Sequence, residues 1–296
     1  MKVSICIVSR NRKLELKRTL EILHDYTEAT LCEILVFLDG CSDDSKDLAA
    51  EFPECIWEVQ DNSIGASPAR NLLYQKATGD LIFGFDDDAH PLQKDFINKA
   101  RLIFSKNKHL AVLTFEEIKG VFDNDAQALE KHVPNEEFYC REFVGCGFVI
   151  KKAAYEQTSG FPNWMKIYGE ESCLSIELLD LGYAILYTSQ ICVNHRVNKE
   201  ERKHLKKTIY RFENQLSNSA LFYFAYYPKI LIPKRLTALL FHNFRKYAFE
   251  DIPFFKAFFR AMINFLIRIP KVITYRKVVK KETLKKSLGL PLPKYG

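Results

Sequence analysis

The sequence contains no apolar run near the roughly 20 residues that a transmembrane helix needs. Its first apolar run, "VSICIV", is too short and too soon interrupted for a signal peptide. No CxxC pair and no metal-ligand spacing occurs among its eight cysteines, at 6, 32, 41, 55, 140, 146, 173 and 192. Several lie inside apolar runs, so reduced core thiols in a reducing compartment are expected rather than disulfides. Internal repeats and low-complexity tracts are missing too, which excludes a solenoid or a disordered linker protein. Glycine is scarce, with 12 residues in 296. No Gly-rich, Lys-containing loop follows the first apolar run.

What is present is ordinary globular material, 47% hydrophobic and 27% charged. The length suits one large α/β domain with an appendage. A net charge of +6 conceals a strong asymmetry. From Lys199 onward there are about 22 Lys and Arg against about 6 Asp and Glu, leaving the first two thirds near −10.

The first 200 residues alternate between two hydrophobic periods. "KVSICIVS", "EILVFLD", "CIWEVQ" and "DLIFGF" read as buried strands. "KLELKRTLEIL", "SDDSKDLAAEF", "GASPARNLLYQKA" and "LQKDFINKARLIF" read as the helices that follow them. This alternation predicts a largely parallel sheet covered by helices on both faces, with ligands beyond the carboxyl ends of the strands. Ser9 to Arg12, Asp39 and Asp86–Asp88 fall at that edge.

From residue 107 the pattern loosens. "LAVLTF" reads as a strand, "VFDNDAQALEKHVPNEEF" as a polar excursion, and "YCREFVGCGFVIKKAAYEQTSGF" as strand then helix, stopped at Gly160. "EESCLSIELLDLGYAILYT" reads as a helix and a strand. Beyond residue 200 the texture is helical, with aromatic residues interleaved among Lys and Arg. Such a region either lies on an anionic lipid surface or packs on the body with its cations in water. No nucleic-acid-binding motif is present, so nucleic acid is not an expected partner.

The stretch "FDDDAHP" puts three acids directly behind a buried run. Three like charges repel, and ordering them beside a core requires a compensating positive charge. Around it stand "VSICIVSRNR", "EILVFLDGCSDDS" with a D-x-x-S-x-D spacing, "NSIGASPARN", "FVGCGFVIKK", "SGFPNW", "YGEESCLSIELLDLGY" and "NHR". In this order these segments resemble the family 2 glycosyltransferases of GT-A fold, over roughly residues 1–196.

The resemblance implies a Rossmann-like, mainly parallel sheet flanked by helices, with a C-terminal helical extension. It implies a catalytic domain at 1–204, with a nucleotide-binding half at about 1–106 and an acceptor half at about 107–204. Residues 205–296 then form the basic, aromatic-rich region. The activity implied is transfer of a sugar from a nucleotide-sugar, UDP- or dTDP-linked, to a hydroxyl of a glycan or lipid-linked acceptor with inversion, as in bacterial surface polysaccharide synthesis.

Residue by residue, the resemblance makes Asp88 the main ligand of a divalent cation, Mn²⁺ or Mg²⁺, with Asp86 assisting and His195 as a late ligand. Asp86 also faces the donor, and Asp87 is structural. Asp39 would accept from a base N–H, or else cap a turn. Arg70 would reach phosphate or base, or else pair with a neighbouring acid. Ser9, Asn11 and Arg12 would meet the nucleotide, although a plain turn looks the same. The catalytic base is expected at Glu171, with Glu170 as the fallback, and Glu stands where many relatives have Asp. The compensating charge at the triplet is expected to arrive with the metal-bound donor. Two other readings are a nucleotidyltransferase, against which the missing Gly-rich loop counts, and a non-catalytic carbohydrate- or lipid-binding relative. The expected location is cytoplasmic, at most peripheral on the inner membrane face.

Overall fold

The computed structural model of the chain describes residues 1–27, 32–197, 205–249 and 251–296. The first half runs β1 (Val3–Ser9), α1 (Lys13–Tyr26), β2 (Cys32–Asp39), α2 (Leu48–Glu51), β3 (Ile56–Gln60), α3 (Ala66–Lys76), β4 (Leu81–Asp86), β5 (Ala89–Pro91) and α4 (Phe96–Lys106). The second half runs β6 (Leu110–Lys119), α5 (Asp125–Leu129), β7 (Glu137–Cys140), β8 (Gly147–Lys151), α6 (Lys152–Tyr155), α7 (Glu170–Asp180) and β9 (Ala184–His195). Four helices follow: α8 (Leu205–Tyr226), α9 (Ile232–Asn243), α10 (Ile252–Thr274) and α11 (Lys281–Gly289). The domain boundary expected at 204 lies outside the described residues.

One nine-stranded sheet has the order β3-β2-β1-β4-β8-β6-β9-β5, with β7 pairing to β9. The strands β3, β2, β1 and β4 are parallel, as the alternation predicts. The apolar runs of β1, β2 and β4 are almost wholly buried because helices cover both faces. One face packs on α1 and α4, through Leu16, Leu20, Leu23, Phe96 and Ile103. The other packs on α3 and α7, through Leu73, Tyr74, Leu174 and Leu178. Beyond β4 the direction changes, and β8 runs antiparallel between β4 and β6. The polar excursion is not one loop: Asn124 caps α5 by accepting from the Gln127 N–H, and β7 begins at its far end.

Helix α7 is covered on two sides. Leu174 and Leu178 face the sheet, while Cys173 and Ile176 join a second core with α8 and α10. The helical region therefore packs on the body through α7. Asn218 on α8 donates to the carbonyls of Ile167 and Tyr168, and Arg268 on α10 donates to that of Trp164. Together they hold the segment leading into α7.

Candidate active site

Parallel pairing brings the ends of β1, β2 and β4 to one edge, with Ser9 opposite Leu38 and Val8 opposite Asp86. The acidic triplet lies there, and the protein meets its charge with cations of its own. Arg12 pairs with Asp87 at 3.2 Å and Asp88 at 2.7 Å, and Arg70 pairs with Asp86 at 2.5 Å. His195 Nε2 lies 3.3 Å from Asp88, while its Nδ1 lies 2.5 Å from Glu117. Arg12 and Arg70, with His195 beside them, thus already meet part of the charge that was expected to be balanced by the donor.

The electrostatics follow from these contacts. Burial works to raise Asp88, but the His195 hydrogen bond and the charges of His195 and Arg12 hold it well below the usual carboxylate range. Burial pushes Asp87 up to about 7, with Arg12 pulling down and Asp88 pushing up. Burial disfavours a charged His195, yet Cys146, Asp88 and Glu117 raise it far above the ordinary imidazole range.

Several expected donor contacts turn inward. The Ser9 hydroxyl is buried and donates to Asp87. Asn11 sits at φ 54°, and its Oδ1 accepts from the Ser42 N–H, stitching the first turn to the second. Asp39 is buried and accepts from the Ser63 hydroxyl and the backbone N–H groups of Ile64 and Gly65, so it organises the turn before α3. Arg70 is spent on acids at both ends of the site: Asp86, Glu170 at 3.2 Å and Glu171 at 3.3 Å. Its alternative reading, a pairing partner for neighbouring acids, describes the arrangement because α3 and the start of α7 converge there. Of this set only Asn11 and Arg12 are exposed, Arg12 with 42% of its side chain open.

Glu170 and Glu171 open α7 behind two residues with left-handed backbone, Tyr168 at φ 71° and Gly169 at φ 108°. Glu170 is buried, its Oε2 has no partner, and burial raises it. Glu171 keeps 22% of its side chain exposed and is raised by burial and by Glu170, against Arg70. It lies against Gly145, where an added Cβ would stand 2.1 Å from Glu171 Oε1. Of the two acids, Glu171 is the more exposed, at 22% of its side chain against 3% for Glu170.

Three residues of this site were missed in the sequence. Glu117 orients His195, Cys146 lies beside it, and Gly145 makes room for Glu171. A signal for Glu117 existed: "LAVLTFEEIK" ends a buried strand on acids, as "LIFGFDDD" does.

Asp86, Asp88 and His195 offer two carboxylate oxygens and one imidazole nitrogen within 4.8 Å of one another. That donor set fits a divalent cation such as Mn²⁺. A metal would compete there with Arg12, which now pairs with Asp88.

A curled α/β sheet with an acidic strand edge, an opposing His and a glutamate pair at a helix start define a GT-A glycosyltransferase. The chain belongs to the family described as "Glycosyl transferase family 2", whose model matches residues 4–167. Glu170, Glu171 and His195 lie beyond that match. Among solved structures, the chain is similar to Staphylococcus aureus TarS 1-349, with a TM-score of 0.61 at 14% identity over 93% of this chain and 83% of that one. It is also similar to the mannosyltransferase PcManGT from Pyrobaculum calidifontis, in complex with GDP-Man and Mn²⁺, with a TM-score of 0.57, 14% identity and coverage of 97% and 87%. GalNAc-T7, with UDP, GalNAc and Mn²⁺, gives a TM-score of 0.62 at 15% identity, over 92% of this chain and 58% of that one. The comparison with curated proteins returned no match.

Proposed function

We propose that the protein transfers a sugar from a UDP- or dTDP-sugar to a hydroxyl of a glycan or lipid-linked acceptor, with inversion, in bacterial surface polysaccharide synthesis. The observation that carries this reading is Glu171, a reachable carboxylate linked through Arg70 to Asp86 on the donor edge. The donor lies beyond β1, β2 and β4, with Arg12 swinging from Asp88 onto the diphosphate and Asp39 shaping the base pocket. Asp86, Asp88 and His195 would hold a divalent cation, Mn²⁺ or Mg²⁺, which supplies positive charge for the departing nucleoside diphosphate. Glu171 accepts the acceptor's proton as its oxygen attacks opposite the leaving group. The buried Glu170 keeps Arg70 in place.

The acceptor approaches past a cavity of about 290 Å³ beside the start of α7, lined by Arg141, Glu142, Ser172, Asn218, Tyr223 and Arg235. Its aromatic rings offer stacking faces for sugars and its arginines offer partners for phosphate. The enzyme works against an anionic membrane surface at the inner leaflet, through the outer face of α10. That face exposes Phe255, Phe259, Ile263, Leu266, Ile267 and Ile273 at helical spacing, with Lys256 and Lys271 along it. Apolar residues bounded by cations fit an interfacial helix on anionic lipid. No described helix is long and apolar enough to cross a membrane.

The deciding experiment is a thermal-shift panel of nucleotide-sugars with Mn²⁺, followed by analysis of the product's anomeric configuration. Stabilisation by UDP- or dTDP-sugars and an inverted product are expected, since a ligand of the native state raises the midpoint. A retained configuration, or no stabilisation by any nucleotide-sugar, overturns the reading.

A further inference from the structure

Strands β6 and β9 carry a second side-chain cluster on the face away from the donor site. They pair in parallel, but their register shifts between Phe115 and Glu116: Phe115 faces Thr188, whereas Glu116 faces Cys192. Residues 189–191 of β9 are extra, a bulge. Beyond it, Glu117 faces Val193 and Lys119 faces His195. Successive strand residues point to opposite faces. Glu117 accordingly reaches His195 in the active site, and Glu116 reaches the other side.

There Glu116 Oε2 lies 2.5 Å from His132 Nδ1 and 3.3 Å from Cys192 Sγ, and Cys192 Sγ lies 3.2 Å from His132 Nδ1. Three donor atoms of three chemical types converge within 4.8 Å. Glu116 and Cys192 are buried, and His132 stands at the rim with its side chain 27% exposed. The surroundings hold the donors in place. The Val133 N–H donates to Glu116 Oε1, and Gln93 Oε1 accepts from the Cys192 N–H.

We propose that Glu116, His132 and Cys192 bind a zinc ion that pins the β6–β9 bulge. A thiolate, an imidazole and a carboxylate make a donor set suited to Zn²⁺ rather than to the harder Mg²⁺ or Mn²⁺. The charges balance: thiolate and carboxylate together neutralise the ion, which matters where burial penalises net charge. Ligand distances of about 2.0–2.3 Å place tetrahedral donor atoms somewhat farther apart than these contacts. His132, whose side chain is partly exposed at the rim, would open by that amount. A fourth position on its exposed side remains for water. Cys192 and His195 stand three residues apart on one strand, so a metal behind the sheet fixes the backbone that aims His195 at Asp88.

The test is substitution with Co²⁺ in the full-length protein, in excess Mg²⁺, because a thiolate ligand gives cobalt an intense near-ultraviolet charge-transfer band. The band should appear at one equivalent, vanish in Cys192→Ser and weaken at least tenfold in apparent affinity in His132→Ala. It should persist in Asp88→Asn and in Cys146→Ser, the thiol beside His195. Zn²⁺ should displace the cobalt and raise the melting temperature of the wild type but not of His132→Ala. A folded wild type with no band overturns the proposal. So does a band that follows Cys146 instead of Cys192, or one that His132→Ala leaves untouched.

Discussion

The catalytic body and the C-terminal helices dispose of apolar surface in opposite ways. In the body, exposed large apolar residues are scattered singly, as at Leu14, Leu72 and Leu102, which is normal for a folded domain. On α10 they share one side, with Ile263 56% and Ile267 71% exposed. The opposite side of the same helix buries Ala257, Phe258, Ala261, Phe265 and Val272. A helix apolar on two faces has one face for the protein and one for something else. Yet the two regions are not independent. Asn218 and Arg268, both from the helical region, grip the segment ahead of Glu170 and Glu171, so part of the geometry at the start of α7 is built by residues outside the sheet.

The largest effect should separate two neighbours within the body. Glu171→Gln keeps shape and removes proton acceptance, so transfer should fall by about 10²–10⁴ with donor affinity nearly unchanged. Glu170→Gln should retain much more activity. Reversal of the two would move the base to Glu170. Next, Asp88→Asn should weaken metal-dependent binding of nucleoside diphosphate by about 10-fold or more without unfolding the protein. Calorimetry that finds unchanged affinity with metal removes Asp88 from the ligand set.

The comparison itself is tested on α10. Ile263→Ser with Ile267→Ser should cut binding to anionic vesicles by about tenfold per residue, while the melting temperature barely moves. Phe265→Ala, on the buried face, should instead destabilise the fold by about 3–5 kcal/mol. Binding of the wild type should also weaken as salt screens the basic residues over about 10 Å at 0.1 M. If the double variant binds vesicles as well as the wild type, the exposed face serves another partner.

Asn218→Ala asks how far the helical region reaches into catalysis. Loss of both hydrogen bonds to Ile167 and Tyr168 should lower kcat several-fold with little change in KM for donor, since the base is then less well aimed. An unchanged kcat would confine that region to packing. The smallest effect is a shift in pH profile. A base must be ionised, and burial with Glu170 raises Glu171. The acidic limb of kcat/KM should therefore rise at a pH above the ordinary carboxylate value of about 4.3. A limb at or below that value would assign the limb to another group.

Much of the first half was legible because strands such as β1 and β4 are buried on both faces and read as continuous apolar runs, from "VSICIVS" to "LIFGFD". The direction of β8 was not, because periodicity reports which face a residue takes and never which way a strand runs. The same limit hid the partners of the site residues. The positions of Asp86, Asp88 and His195 can be read in sequence, whereas Arg12 on Asp88 and Glu117 on His195 are contacts across 76 and 78 residues. Asp39 and Ser9 illustrate the converse. Polar residues at strand ends mark where a site belongs, yet whether a side chain looks outward or knits the turn beneath is settled by loops such as 62–65.

Arg70 carries a single positive charge divided among one acid at the end of β4, Asp86, and two at the start of α7, Glu170 and Glu171. Whatever draws Asp86 toward a new partner leaves more of that charge to Glu170 and Glu171, and alters how tightly each holds a proton. Linkage requires the reverse with equal strength, so a ligand that engages Glu171 changes the affinity of the donor edge by the same factor. Under the proposed assignment, the two substrates would sense each other's arrival through one guanidinium, with no movement of the sheet between them.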